Sequence, residues 1–548
     1  MAPGLRVRRS IRALELLENR KELDKLIRAF RGIQQLPPDD PNSFFVIAGY
    51  HGEPFEVQGK DVEWGGYCFH NAVLFPTWHR AYCLRIEDAL RSIKGCEDVT
   101  LPYWDELAED GNETPVPAIL TSSEYVLDGK TIPNPLFSYA LQKNLIDGPS
   151  QDRNTKHVNY STVRFPLSGL VGTDEARDQT KVWNEKFSKP SEQLNWNIRN
   201  WLFGKVDLDP IEYVDVADTF SVVSRMRNCM KAPNWTVFSN KASAAEYAEK
   251  HGHDNKKEHW VVAIEEPHNA IHLALGGHYQ PASWNLKKSP GYNANPKDFQ
   301  GANGDMGCNE TAAFDPIFFI HHGFIDYMMW CWQKKHKKTT RGSLEIDHYI
   351  ESGTTMKEGG NAALPKGTKL EMTSPLKPFR KPNSDEYYTS DDLTDITELG
   401  YTYAPGSFEA LGLTPKSVES SLDNFEPSSE SVDVNQIVAL QKTATVKVDK
   451  YSGSFVIRTY ATVNGRKVEI GRDPILSRYN VDTCGNCQNS LEATSIVPIH
   501  KTLAEALDPD KTREIPYRVE IQYLGGQEEY RPVQRHGFAS VEDQVIRY

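Results

Sequence analysis

Apolar residues recur at a helical period in four stretches of the chain and at a two-residue period only towards its end. Residues 11–33 set Leu23, Leu26, Ile27, Phe30 and Ile33 on one stripe among charges, which predicts an amphipathic helix ended by Pro37, Pro38 and Pro41. Trp78 to Ile93 predicts a second helix, with Gly95 as its stop and His79 in its first turn. Glu265 to Leu275 predicts a third, closed by Gly276-Gly277. Asp315-Pro316 supplies an N-cap and N1 pair for the strongly apolar run IFFIHHGFIDYMMWCWQ, the fourth. LPYWDE at 101–106 reads as a short buried connection. Residues 107–190 and 278–313 are crowded with turn formers and read as long loops, the second as a rim or lid.

The period then changes. A polar Ser/Glu-rich stretch at 414–434 reads as a linker. Thr443–Val448 alternates, 455–463 turns at Asn464-Gly465 into 467–470, and 517–524 precedes Gly525-Gly526, which predicts hairpins. The expected organisation is a mainly α domain over 1–410, a linker over 411–435 and a small antiparallel β domain, sandwich-like, over 436–548. No internal repeat is visible.

Composition narrows the function classes. The 548 residues suffice for a large core, and 39% hydrophobic with 25% charged residues is ordinary for a soluble globular protein. A net charge of −13 argues against nucleic acid or an anionic membrane as partner. No run approaches the ~18 apolar residues of a membrane span. The basic start MAPGLRVRRSIRALELL lacks an apolar h-region, so the expected location is cytoplasmic. Eight cysteines are too sparse for a disulfide scaffold.

Histidine carries the candidate chemistry. His51, His70 and His79 form an upstream set, and His268, His272 and His322 a downstream one. His268 and His272 are i and i+4 on one helix face and can clasp one ion. Two sets of three imidazoles, with hardly an acidic or sulfur residue at ligand spacing, point to a pair of metals between helices. His157, His348 and His536 read as surface or structural, and His321 as a group hydrogen-bonded to backbone beside the site. Phe318, Phe319 and Met328 read as core. Cys484-Gly485-Asn486-Cys487 is a lone C-x-x-C, a weak zinc signal whose soft thiolates favour Cu(I).

Two long motifs carry a resemblance. HNAVLFPTWHRAYCLRIE (70–87) and DPIFFIHHGFID (315–326), with LPYWD between them, resemble the two copper-site signatures of the type-3 copper proteins, and among these of the fungal tyrosinases, over residues 5–410. The resemblance implies two copper ions and O2 as co-substrate. His51, His70 and His79 would hold the first copper and His268, His272 and His322 the second, with Asp326 orienting a ring. Cys68 resembles the cysteine that forms a thioether to the His70 ring. Glu265 and Asn269 resemble the pair that removes the phenol proton through a water; Glu266 is the competing carboxylate and a solvated helix-start charge the plainer role for Glu265. Tyr401-Thr402-Tyr403 looks like the family's closing tyrosine motif, partnered by Arg6, Arg8 or Arg9. Tyr327 departs from the usual Arg.

The activity that the resemblance implies is ortho-hydroxylation of monophenols and oxidation of o-diphenols to o-quinones, held latent by the β domain. Ile475, Leu476 and Tyr479 are the candidates to plug the site, and Cys484 with Cys487 to deliver copper, against a plain disulfide. Phenolic small molecules and an activating protease are the implied partners, and a homo-oligomer is compatible with it. A catechol or o-aminophenol oxidase without monophenolase activity, and a hemocyanin-like O2 carrier, share the same ligands.

Overall fold

The structure, a computed structural model, describes residues 4–52, 66–109, 112, 114–146, 154–203, 220–252, 260–279, 302–356, 364–413, 437–463, 466–479, 481, 487–508, 510–523, 526–529 and 544–547. Its helical body is organised around the helices Phe75–Arg91 and Ile317–His336, which pack on each other. The second is buried almost all round because its sequence is apolar on every face, as expected of a helix inside a large domain. Arg20–Gln35 covers the first with Leu23, Leu26, Ile27, Phe30 and Ile33.

Local signals moved several boundaries. The 11–33 stripe is two helices, Ile11–Glu15 and Arg20–Gln35, because Leu16 is extended and the Asn19 amide donates to the Ala13 carbonyl. The next helix starts at Phe75, ahead of the expected Trp78, with Pro76 in its first turn. There a missing N–H costs nothing, since the first four have no acceptor within the helix. His79 therefore stands in the second turn, one turn after the Phe75 carbonyl. Pro316 caps the last helix one residue later than predicted, and Asp315 chiefly forms a buried two-point pair with Arg164 (2.6 and 2.8 Å). The 107–190 stretch is not all loop. Strands Glu124–Leu127 and Lys130–Pro133 turn at Asp128-Gly129, both at positive φ, and Thr173 caps the helix Asp174–Asn184. Helices Pro190–Phe203, Val222–Cys229 and Lys241–Gly252 were not anticipated.

The ends of the helical body meet. Strand Arg6–Arg8 pairs in parallel with Tyr401–Tyr403. Most of the expected linker lies outside the described residues. Beyond it, Phe455–Val463 pairs with both Arg466–Ile475 and Glu514–Tyr523, while Ile437–Lys447 pairs with Glu492–His500 in a second sheet, all antiparallel. Val446, Phe455, Ile457, Val519 and Ile521 fill one small core of this unit, and Ile470, Val497, Ile499 and Ile515 another. Ile437, Val456 and Leu476 instead join the core of the helical body, so the β unit is packed onto it. No helix among the described residues is long and apolar enough to cross a membrane.

Candidate metal centre

His51 follows the helix Phe44–Gly49, His70 lies on the lead-in to Phe75–Arg91, and His79 lies on that helix. All three are buried, with ring centroids 5.2–5.7 Å apart. His268 and His272 project from Glu265–Gly276 towards His322, whose Nε2 is 3.2 Å from the Nε2 of each. The two groups adjoin: the His79 and His322 rings stack at 4.5 Å, 16° from parallel, and His70 is 5.7 Å from His268. The structure thus gathers all six predicted histidines.

Their outer nitrogens are tied down. His51 Nδ1 pairs with the Asn309 carbonyl (2.8 Å), His79 Nδ1 with Phe75 (2.8 Å) and His272 Nδ1 with Met306 (3.0 Å). A carbonyl only accepts, so each Nδ1 carries the proton and each Nε2 is left as a lone pair. The Met306 contact exists because Gly276 lies against Gly307, where a side chain would come within 1.9 Å of the backbone. Nε2 of His51, His70 and His79 is buried with no hydrogen-bond partner. Burial holds all six imidazoles neutral against their usual titration, with His51 lowered to about 3. Three lone pairs about 2 Å from a first-row metal in tetrahedral directions lie roughly 3.3 Å apart, which the 3.2 Å spacings around His322 match. The site fits a bound metal in each group.

Several expectations need correction. His321 makes more than the expected backbone contact, which is to His268: its Nδ1 pairs with the Glu106 carboxyl at 2.5 Å, deep in the protein, and its ring stacks on His268 at 5.4 Å. Burial keeps both partners neutral, raising Glu106 and lowering His321 to about 3. Asp326 orients no imidazole. It binds Arg8 (3.0 Å), Arg80 (2.5 Å), Tyr401 (2.7 Å) and Tyr403 (2.5 Å), so Arg8 is the partner of the tyrosine motif. Phe318 is more than core: its ring lies 4.0 Å from His322 and 4.9 Å from His51, touching both groups. At Tyr327 the hydroxyl donates to Glu409, which also pairs with Lys334.

Glu265 is fully buried, which removes the reading of a solvated charge. Burial raises its pKa to about 7, opposed by the backbone amides of Lys241 (3.0 Å) and Asn71 (2.8 Å) that its oxygens accept from. Glu266 is committed elsewhere, paired with Arg225. Asn269 turns its Oδ1 to His268 Nδ1 at 2.8 Å and so holds that ring. Cys68 is a buried free thiol, raised to about 11 by burial, which accepts from the Asn309 side chain at 3.7 Å.

The β unit closes the mouth of this centre. The Ser477 carbonyl accepts from Asn309 N (3.4 Å) and Glu310 accepts from Tyr479 N (3.2 Å). Of the three plug candidates, Leu476 joins the helical core, whereas Ile475 packs on the β unit's own core and Tyr479 lies against Gly453. Arg478, missed from sequence, is fully buried and close enough to disfavour protonation of His51. A cavity of about 420 Å³ remains at the seam, lined by His70, Leu476 and Cys487 among others. Cys487 is disulfide-bonded; Cys484 lies outside the described residues.

Comparison with known proteins agrees with this geometry. Residues 41–335 match the common central domain of tyrosinase. A tyrosinase from Hahella sp. (strain CCB-MM4) is 40% identical over 95% of this chain and 92% of its own length, and one from Aspergillus oryzae 36% identical over 90% and 88%. Among solved structures, a Burkholderia thailandensis tyrosinase superposes with a TM-score of 0.74 at 38% identity, covering 95% of this chain and 96% of that one. The likeness includes the β unit as well as the helical body, and the chain belongs to the tyrosinase family.

Proposed function

We propose that the protein is a copper-dependent phenol oxidase that hydroxylates monophenols and oxidises o-diphenols to o-quinones. The observation that carries this is the pair of buried imidazole groups, stacked through His79 and His322, with their Nε2 atoms turned inward. His51, His70 and His79 would hold one copper, and His268, His272 and His322 the other. Bound copper supplies the redox chemistry with O2 that protein side chains lack.

The chain's own groups handle the proton and the access route. A phenol has a pKa of about 10, so hydroxylation needs a base, and Glu265, adjoining His70 through Asn71 N, would take that proton through a water. Asn269 and the Glu106–His321 pair hold His268 in place. Cys68 would bond to the His70 ring, an oxidative step that removes two hydrogens with O2 as oxidant; a mass deficit of two hydrogens in copper-loaded protein tests it. Leu476 would act as the plug, and a protease cutting within 414–436 would relieve it. Cys484 and Cys487 would pass Cu(I) towards His70 once reduced, because thiolates, not a disulfide, bind it. Normal copper uptake by a Cys484→Ser/Cys487→Ser variant in cells would remove that role.

A second reading, a catechol oxidase without monophenolase activity, is favoured by one observation: the Asn269 oxygen is committed to His268 Nδ1 at 2.8 Å. Adding tyrosine and catechol separately to copper-loaded chain cut in the linker, and following quinone absorbance, separates the two. Oxidation of neither substrate, with reversible O2 binding retained, would leave an O2 carrier.

A further inference from the structure

We infer that Lys241 sets the charge preference of the substrate mouth, favouring phenols and catechols that bear a carboxylate; this deepens the phenol-oxidase reading and rests on it. The seam cavity is walled on the helical side by His70, Asn71, Lys241, Ala242, Glu246 and Glu249, with other residues around them. Among the described residues of that wall, Lys241 is the cation. Its backbone N–H donates to Glu265 at 3.0 Å, which roots the side chain beside the candidate base.

From that root the ammonium crosses the seam and donates to the Pro474 carbonyl at 2.9 Å, on the β unit. No carboxylate among the described residues forms an ion pair with it. Glu246 accepts from the Glu351 and Ser352 amides (3.0 and 2.6 Å) and pairs with Lys250 (2.7 Å). Glu249 pairs with Lys442 of the β unit at 2.6 Å while the cover is in place, and is freed with Lys241 when it leaves. Once strand Arg466–Ile475 withdraws, the Lys241 ammonium has lost its acceptor and faces the way to His70.

A carboxylate at the far end of an entering phenol replaces that carbonyl, exchanging a neutral acceptor for a charged one and a stronger bond. The net charge of −13 repels anions at long range, so a cation at the mouth decides which sign of substituent is accepted. The β unit, on this account, covers the mouth with a carbonyl where the substrate's carboxylate would sit.

The test uses full-length, copper-loaded chain activated by a cut within 414–436, with 3,4-dihydroxyphenylacetate, neutral 4-methylcatechol and cationic dopamine as substrates. Lys241→Met should raise KM for the carboxylate roughly five- to tenfold, the scale of one charge-assisted contact, with kcat within about twofold. It should leave 4-methylcatechol unchanged, and Lys241→Arg should restore the preference. Equal shifts for all three catechols, or none, would overturn the inference. Calorimetric binding of benzoate against benzamide repeats the comparison without turnover. Chain that oxidises no catechol yet binds benzoate through Lys241 defeats the oxidase reading and keeps the charge preference; chain that binds both probes alike defeats the preference itself.

Discussion

The Arg8 guanidinium lies 3.8 Å from the centroid of the Tyr401 ring, and both groups bond the same Asp326 carboxylate, fully inside the protein. This joins residues some 390 positions apart, and it places the joint one helical turn beyond His322. Arg8 also pairs with Glu87 at 2.7 Å. Removing one member of a buried charge cluster leaves its partners uncompensated, at about 3–5 kcal/mol. Arg8→Met should lower stability by that order in denaturant unfolding; an unmoved midpoint would show that the cluster does not clamp the body.

Glu265→Gln keeps the shape and removes the proposed base. Hydroxylation of tyrosine should fall roughly a hundredfold, the usual span for a positioned base, while catechol oxidation stays within about threefold. Equal losses on the two substrates would take the proton-transfer role from Glu265.

Asn269→Gly should behave differently. Its Oδ1 holds His268 Nδ1, so the loss should weaken copper retention about tenfold or more and lower both reactions together. Metal analysis after dialysis against a chelator reads this directly. A fall in hydroxylation alone, with copper retained, would contradict the ring-holding role.

The ratio of hydroxylation to catechol oxidation should depend on pH. Glu265 is raised to about 7 by burial, so it is protonated below that value and a carboxylate above it. The ratio therefore falls as pH drops through the Glu265 pKa. Nearby copper charge favours the carboxylate and moves the midpoint below 7. The profile of the Glu265→Gln variant should be flat across the same range.

Arg225 of the helical body reaches the β unit, donating to the Arg472 carbonyl (2.5 Å) and pairing with Asp473 (3.5 Å) as well as Glu266. Asp473→Asn should loosen the cover and raise catechol oxidation by uncut chain several-fold, with no change after cutting in the linker. Uncut activity equal to that of the original chain would show that other contacts hold the cover.

Five of the six histidines were readable because each sits in a long motif or at i and i+4 on an apolar helix, where periodicity and chemistry agree; His51 was read only from its place just upstream of His70. Asp326 shows what was not. Its i+4 spacing from His322 suggested a ring contact, yet its partners Arg8 and Tyr403 come from the two ends of the body, and no local pattern announces them. Glu106 lay in the stretch read as a buried connection, but its pairing with His321 joins positions 215 apart. The helices Pro190–Phe203 and Lys241–Gly252 hid among Asn, Ser, Lys and Glu, their helicity supplied by packing more than by an apolar stripe. Strand Glu492–His500 escaped because its final residues are buried in succession, which erases the alternation. That Leu476 rather than Ile475 joins the core of the helical body has no local signal, because the seam brings together residues far apart in the chain.

The parallel pairing of Arg6–Arg8 with Tyr401–Tyr403 means that the helical body begins and finishes along one edge. Severing the chain after that edge leaves its closure intact, because both strands of the clasp belong to the part that stays. A cover grafted ahead of residue 6 would depart from nearly the same place as one attached behind residue 403, so tethering it from either side is a question of reach rather than of foldability.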